Sequence, residues 1–281
     1  MSFHDLLMVG ALYPAGGLLA DALASYALRC RPRPVCTAIA MASDGVVTDI
    51  TDVPADTVRS QLEHLARTSS FSGIKIGALA GHHTAEAVFA FCSTHAGPLV
   101  LDVHLSGSHG ETLLTARGIE VLRRNLHAPD LVVIGRTDAE LISGGEINSL
   151  DDAQVAAQRI VKQGARALVI KCGQLPARHF DRQEAVILDE TYSADLYYDG
   201  REFALFEAPH IQGVRTEGAS SAFSVAILGA LTRGLGLLDA VQEGKRFVTE
   251  SLRATKALGP GAPLQYFGQA PSLAPGSHEA G

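Results

Sequence analysis

The chain has 281 residues, 47% of them hydrophobic, which is enough core for one α/β domain or two small ones. Its formal net charge is −7, with acidic and basic residues interspersed and no basic run, which argues against nucleic acid and anionic membrane as partners. The start, MSFHDLLMVGALYPAGG, has neither a basic n-region nor a long apolar h-region, and the four cysteines show no CxxC or zinc spacing, so a cytoplasmic protein with reduced thiols is expected.

Leu6 to Leu12 is a continuous apolar run too short for a helix, and it predicts a strand buried on both faces of a parallel sheet. Tyr13 to Gly17 breaks it, and Leu18 to Leu28 carries apolar residues at helical spacing. Arg31 to Pro34 reads as a turn, Val35 to Ala42 as the next strand, and Gly45 to Ile50 as a short β-excursion. Val58 to Leu65 follows a Pro-Ala-Asp start and is helical. Gly73 to Leu79 is a short apolar strand, followed by a helix over 83–95 and a strand from Leu99 to Val103. Leu131 to Ile134 is a further strand, leading into Thr137-Asp138-Ala139-Glu140, whose acids suit a helix start. Asp151 to Gly164 is amphipathic, with Val155, Ile160 and Val161 expected inward, and Ala167 to Ile170 is a buried strand. Residues 184–207 alternate around Asp199-Gly200, a hairpin signal. A long apolar helix follows Gly213 to Ser220. Another runs from Leu237 to Leu258, carrying Ala240, Val241, Phe247, Val248 and Leu252. Residues 1–267 thus form one domain, and Gly268 to Gly281 reads as a disordered Pro/Gly/Ser-rich tail. The alternation of strands and helices calls for a doubly wound α/β sheet.

The loop from Gly213 to Ser220 is the most informative stretch. It opens a helix whose first N–H groups lack internal partners and carry the positive end of the helix dipole. Gly218, Ala219 and Ser220 are small enough to let a phosphate reach that backbone, although a Gly- and Ser-capped core helix has the same sequence. Neither GxGxxG nor GxxxxGK[ST] is present. The Gly16-Gly17 turn is a second ligand contact or an ordinary βα turn, and Asp21 in the following helix is accounted for by the dipole alone. Asp102 ends a strand, where a carboxylate serves a metal or a phosphate-bound Mg²⁺, or caps the next loop. His82 and His83 cap or face solvent. His104 and His109 lie in the loop after Asp102, facing either the site or water.

Thr216-Glu217-Gly218-Ala219-Ser220-Ser221-Ala222-Phe223-Ser224 resembles the T-x-G-T-G-C-T-x-S segment of the hydroxymethylpyrimidine and phosphomethylpyrimidine kinases. These belong to the ribokinase-like superfamily, which also holds the pyridoxal kinases. Gly10 to Asp21 resembles that family's G-S-D-x-S-G-G-A-G-I-Q-A-D segment, one residue shorter and without its Ser-Asp pair. Thr37 to Asp44 is similar to T-A-x-T-A-Q-N-T, with Ala42 at the Gln that reads the pyrimidine. Lys75-Ile76-Gly77-Ala78-Leu79 matches K-I-G-M-L. Val100-Leu101-Asp102-Val103-His104 resembles V-L-D-P-V, and Gly135 to Leu141 resembles P-N-x-x-E-A-E-x-L with Gly135 at the Asn and Asp138 at the first Glu. Lys171-Cys172-Gly173-Gln174 is similar to K-G-G-H, and Gly259 to Phe267 to the closing G-x-G-P-V-x-H-F.

The resemblance implies a ribokinase-like three-layer αβα sandwich with a mainly parallel central sheet and a small β-excursion. It implies ATP and Mg²⁺ as cofactors, a small-molecule substrate, and by superfamily habit a homodimer. Gly218 and Ser221 would take the catalytic positions. Ala219, Ser220, Lys171 and Asp138 would bind the nucleotide, and Gly10, Gly16, Asp21, Ala42 and Ala78 the acceptor. Asp102 would hold the metal. The implied reaction moves the γ-phosphoryl of ATP to a hydroxymethyl or phosphomethyl pyrimidine, a thiamin precursor. Ala42, Gly135, Ser220, Ser221 and the missing Ser-Asp pair leave two alternatives open. One is a catalytically impaired relative that binds a vitamin-like ligand or a partner. The other is a kinase for another acceptor such as pyridoxal.

Overall fold

Successive side chains of a strand point to opposite faces, and in β1 (His4–Tyr13) both sets are apolar. Leu6 and Met8 pack under α1 (Gly17–Ala27), α7 (Ala219–Thr232) and α8 (Leu237–Ala257). Leu7 and Val9 pack on the other side, in the core formed with α2 (Ala55–Thr68), α3 (His82–Cys92), α4 (Ala116–Arg124), α5 (Arg136–Ser143) and α6 (Leu150–Lys162). A strand covered on both faces must be apolar throughout, which is why the sequence shows an unbroken run there. This architecture comes from a computed structural model, which describes residues 4–14, 16–43, 46–107, 110–175, 192–259 and 261–264.

Around β1 lie β2 (Cys30–Ser43), β3 (Val46–Asp52), β4 (Gly73–Ile76), β5 (Leu99–Val103), β6 (Leu131–Gly135), β7 (Leu168–Gly173), β8 (Tyr192–Tyr198) and β9 (Phe203–Pro209). They form a nine-stranded sheet in the order β3-β2-β1-β4-β5-β6-β7-β8-β9. The strands from β2 across to β7 are parallel, and β3, β8 and β9 join antiparallel. Helices cover both faces, so the expected three-layer αβα sandwich with its β-excursion is what the chain forms. The strand order reverses beside β1, and ligands of open α/β sheets gather at the carboxyl ends of the strands at such a point.

The structure corrects several local expectations. Arg31 to Pro34 is not a turn but the first half of β2, paired with β1 from Cys30 onward. The prolines are tolerated because, among the described residues, this half of β2 has no second neighbour, β3 pairing only from Ala38. Arg31 and Arg33 both reach Asp5, at 2.6 and 3.0 Å. Val155 is 46% exposed rather than inward, and α6 instead buries Ala153, Ala156, Ala157 and Ile160. The sequence reading assigned no element to α4, whose few apolar residues hide it. Its legible signal is the cap, Thr115, which accepts from the Gly118 N–H. The first part of the expected hairpin and the C-terminal tail lie outside the described residues. Among the described residues no helix is long and apolar enough to cross a membrane.

Candidate active site

Strand alternation also builds the site. Ile74 and Ile76, Leu101 and Val103, and Ile170 and Cys172 all face the α2–α6 core. The residues between them, Lys75, Asp102 and Lys171, therefore project from the other face, at the carboxyl ends of β4, β5 and β7. There they meet Asp21 of α1 and Ser220 and Ser221 of α7.

Lys75 Nζ donates to Asp21 Oδ1 at 2.6 Å, and lies 3.5 Å from Asp102 Oδ2 and 3.4 Å from Ser221 Oγ. All three charged side chains are at most 1% exposed. On the far side of Asp102, Ser220 Oγ donates to Oδ1 at 2.9 Å and accepts from Lys171 Nζ, which itself stands 3.7 Å from that carboxylate. His104 Nε2 lies 3.2 Å from Asp102 Oδ2. Burial works against ionisation of Asp102, yet His104, Lys171 and Lys75 together hold its carboxyl well below the ordinary range. Burial pushes the Asp21 carboxyl up, with Asp102 adding to the rise and Lys75 and the Ser221 hydroxyl opposing it. Burial also pulls on the Lys75 ammonium, but Asp21 and Asp102 more than reverse this and raise it. Asp102 is thus the fixed anion of the cluster and Lys75 a fixed cation. Asp21 keeps one buried oxygen, Oδ2, with no hydrogen-bond partner among the described residues.

Above this floor lies a cavity of about 510 Å³. Ala40, Val47, Ile50 and Leu113 form an apolar wall, while Asp21, Lys75, His104, Ser220 and Ser221 line the polar end. The N-terminus of α7 opens into it. Gly218 caps that helix at φ 86°, a left-handed conformation that glycine adopts without strain. The Ala219 N–H is taken by the Thr216 carbonyl at 2.9 Å, and the N–H groups that follow belong to the exposed positive end of the helix. A Cβ on Gly16 would stand 3.7 Å from the Gly218 nitrogen, so the loop after β1 and the loop before α7 meet at the cavity edge. At the rim, Arg215 pairs with Glu217 at 3.4 Å. Burial, aided by Glu217 and Glu111, pushes the Tyr13 hydroxyl up.

Of the residues expected from the sequence, Gly10, Gly16, Asp21, Ala78, Gly218, Ser220 and Ser221 line this cavity. Lys171 and Asp102 stand behind Ser220, and Ala219 lies between Gly218 and Ser220. Ala42 is not in the lining; Ala40, two residues nearer the sheet, is. Asp138 is committed elsewhere. Its oxygens accept from the Leu105 N–H at 3.1 Å, the Ser106 N–H at 3.2 Å and the Ser106 hydroxyl at 2.6 Å, so it shapes the loop that forms one cavity wall. A Cβ on Gly135 would meet nothing within 4 Å, leaving open space where the family's Asn side chain would be. Cys172 is a core residue. His82 and His83 lean on each other, ring centroids 3.9 Å apart, at the start of α3. The residue that sequence reasoning passed over is Lys75. Its signal was present: a lone cation inside the apolar strand Gly73 to Leu79 has to find an anion when buried.

Asp102, the residue the resemblance gives to the metal, is not in the cavity lining. Asp102 is sealed at 0% exposure and already faces two lysines and a histidine. Among the described residues no group of three His, Cys, Asp or Glu could hold a metal ion.

Comparisons with known proteins agree with this geometry. The family model described as phosphomethylpyrimidine kinase matches residues 14–264. The hydroxymethylpyrimidine/phosphomethylpyrimidine kinase of Aquifex aeolicus (strain VF5) is 32% identical over 235 residues, which is 83% of this chain and 87% of that protein. That of Mycobacterium tuberculosis (strain ATCC 25618 / H37Rv) is 30% identical over 228 residues, 80% of this chain and 78% of that one. Among solved structures, the pyridoxal kinase from Staphylococcus aureus in complex with AMP-PCP superposes with a TM-score of 0.77 at 25% identity, covering 90% of this chain and 89% of the other. By the extent of the family match and by its likeness to the Aquifex enzyme, the chain belongs to the phosphomethylpyrimidine kinase family.

Proposed function

We propose that the protein transfers the γ-phosphoryl group of ATP to a hydroxymethyl pyrimidine, and to the corresponding phosphomethyl pyrimidine, as precursors of thiamin. The observation that carries this reading is the N-terminus of α7, capped by Gly218, opening into a cavity lined by Lys75, with Lys171 behind the lining residue Ser220. Phosphoryl transfer asks little covalent chemistry of a protein and much positioning and charge stabilisation. The backbone N–H groups around Gly218 to Ser221 hold the transferring phosphate. Lys171, with Lys75 deeper in the floor, offsets charge as the bond to the leaving nucleotide breaks. The apolar wall of Ala40, Val47, Ile50 and Leu113 receives the flat ring. Ala40, which takes the lining place expected of Ala42, offers no side-chain hydrogen bond to a pyrimidine edge, so ring selectivity rests on shape more than on pairing. No part of this account requires a protein-bound metal.

The test is calorimetric titration of the protein with Mg-ATP, followed by ADP release with hydroxymethylpyrimidine, its monophosphate and pyridoxal as acceptors. Gly218→Asp brings a carboxylate to the anion site and a side chain to a left-handed backbone position, and binding is expected to disappear. No nucleotide binding by the unaltered protein would refute the kinase reading. A second reading, a relative that binds its ligand without phosphorylating it, is favoured by one observation: the Ser220 hydroxyl stands in the anion loop and engages both Asp102 and Lys171. Ligand binding with no ADP release for any acceptor would favour it.

A further inference from the structure

Two phosphate groups have to meet when the acceptor already carries one. An oxygen of the acceptor's phosphate then forms the new bond to the γ-phosphorus. The bond from that phosphorus to the bridging oxygen breaks, and ADP leaves with the electron pair. The first transfer brings a neutral alcohol to the same place. The two acceptors thus differ by a charge of about −1.5 to −2 at the reacting end, and a cavity that takes both needs a cation free for the second. Lys75 is not free, being 1% exposed with Asp21 at 2.6 Å and Asp102 at 3.5 Å. Lys171 lies outside the lining, behind Ser220. Among the described lining residues, the remaining lysine or arginine is Arg215. It stands shortly before the helix cap Gly218, and its side chain is 51% exposed. Its Nε lies 3.4 Å from Glu217 Oε1, and among the described residues the guanidinium makes no other ion pair or hydrogen bond. Burial pushes the Tyr13 hydroxyl up, Glu217 and Glu111 add to the rise and Arg215 opposes it, which places both partners beside Tyr13 on the cavity lining.

Resting on the kinase reading above, we propose that Arg215 binds the phosphate of the phosphomethyl acceptor and so sets the preference of this protein between its two acceptors, with Glu217 as the internal anion that the phosphate displaces. A guanidinium meets a phosphate through two parallel N–H···O bonds, a geometry that a lysine ammonium does not reproduce. The ion pair it already has is a half-exposed one at 3.4 Å, screened by water and weak. A phosphate brings more charge and three acceptor oxygens, so it takes the guanidinium from a single carboxylate. An alcohol gives Arg215 nothing to bind, and the pair with Glu217 stays closed. While it is charged, Glu217 also repels an arriving phosphate. Losing Arg215 and losing Glu217 therefore act in opposite directions on the same acceptor, and neither acts much on the other acceptor.

The experiment measures the calorimetric Kd of hydroxymethylpyrimidine and of its monophosphate, and kcat and KM for both with Mg-ATP. It compares the unaltered protein with Arg215→Gln, Arg215→Lys and Glu217→Gln, each checked for folding by circular dichroism. Losing a hydrogen bond to a charged group is worth about 10- to 100-fold in affinity. Arg215→Gln should therefore raise Kd and KM for the monophosphate by about tenfold or more, while Kd for hydroxymethylpyrimidine and KM for ATP move by less than about threefold. Arg215→Lys, which keeps the charge and loses the fork, should fall between and carries the test if the Gln variant does not fold. Glu217→Gln should tighten the monophosphate, and weaker binding there would overturn the exchange. A monophosphate bound equally well by Arg215→Gln, an equal loss for both acceptors, or an equal rise in KM for ATP would each overturn the proposal, the last by assigning Arg215 to the nucleotide. Monophosphate binding that depends on Arg215 in a protein that releases no ADP would overturn the kinase reading and leave the assignment standing. An unaltered protein that phosphorylates the alcohol and binds no monophosphate would overturn the assignment alone.

Discussion

Replacing Lys75 by Met removes the cation paired with Asp21 while filling nearly the same volume. Asp102 keeps His104 at 3.2 Å and Lys171 at 3.7 Å, so most of the penalty falls on Asp21, though Oδ2 of each carboxylate already lacks a hydrogen-bond partner among the described residues. Breaking a buried ion pair from one side typically costs about 3–5 kcal/mol, because an uncompensated charge stays behind. For a domain of this size, each kcal/mol moves the melting temperature by about 2–4 °C, so Lys75→Met should melt about 6–20 °C below the unaltered protein at pH 8. Burial already raises the Asp21 carboxyl, and losing Lys75 raises it further. The neutral acid relieves the penalty, so the deficit should shrink on going down to about pH 5. Adding Asp21→Asn to Lys75→Met should recover at least about 1 kcal/mol of the loss in urea denaturation, since the stranded charge is gone. A Lys75→Met protein that melts within about 2 °C of the original, or a double variant less stable than Lys75→Met alone, would refute the reasoning.

Two further predictions concern titration. Burial raises the thiols of Cys92 and Cys172 to about 12, so both should resist iodoacetamide at pH 8 in the folded protein and react only after denaturation, whereas half-buried Cys36 should be alkylated first, as read by mass spectrometry. Asp102 is held well below the ordinary carboxylate range, so its contribution to stability is complete above that range and is lost as pH falls through its lower folded value. Melting temperature should therefore drop on acidification below about pH 4, and Asp102→Asn should flatten that limb; an unchanged slope in the variant would count against the cation cluster as its cause.

The sheet was legible because parallel strands buried on both faces announce themselves, as Leu6 to Leu12, Leu99 to Val103 and Leu131 to Ile134 do. Motif order then supplied the architecture. What failed was local and had physical causes. Arg31 to Pro34 looked like a turn because prolines are excluded from strands with two neighbours, and nothing in the sequence tells that this half-strand has one. Helix α4 has little apolar surface and shows itself mainly through the Thr115 cap. At the site, the glycines and Asp21 were found by motif, but the pairing of Lys75 with Asp21 crosses 54 positions and can be seen only once α1 lies over β4. Asp138 matched a family acid by position, yet its oxygens are spent on the backbone of 105–106. His104 could be noticed in the sequence, but its 3.2 Å approach to Asp102 is visible only in the fold.

The prolines of β2 have an effect far from the cavity. In that strand, backbone groups of alternate residues point to opposite edges. The side-chain amide of Gln61 bonds both the N–H and the carbonyl of Cys36 at 3.3 Å, so the even-numbered residues are the ones facing outward. Pro32 and Pro34 are in that set, and neither has an N–H to offer. A foreign strand approaching this border finds no ladder of donors to pair with, and it meets the guanidinium groups of Arg31 and Arg33 nearby. Where β3 takes over from Ala38, the border is closed by the chain itself. This stretch of border thus carries its own guard against edge-to-edge aggregation, written in residues that by local preference look like a break in the fold.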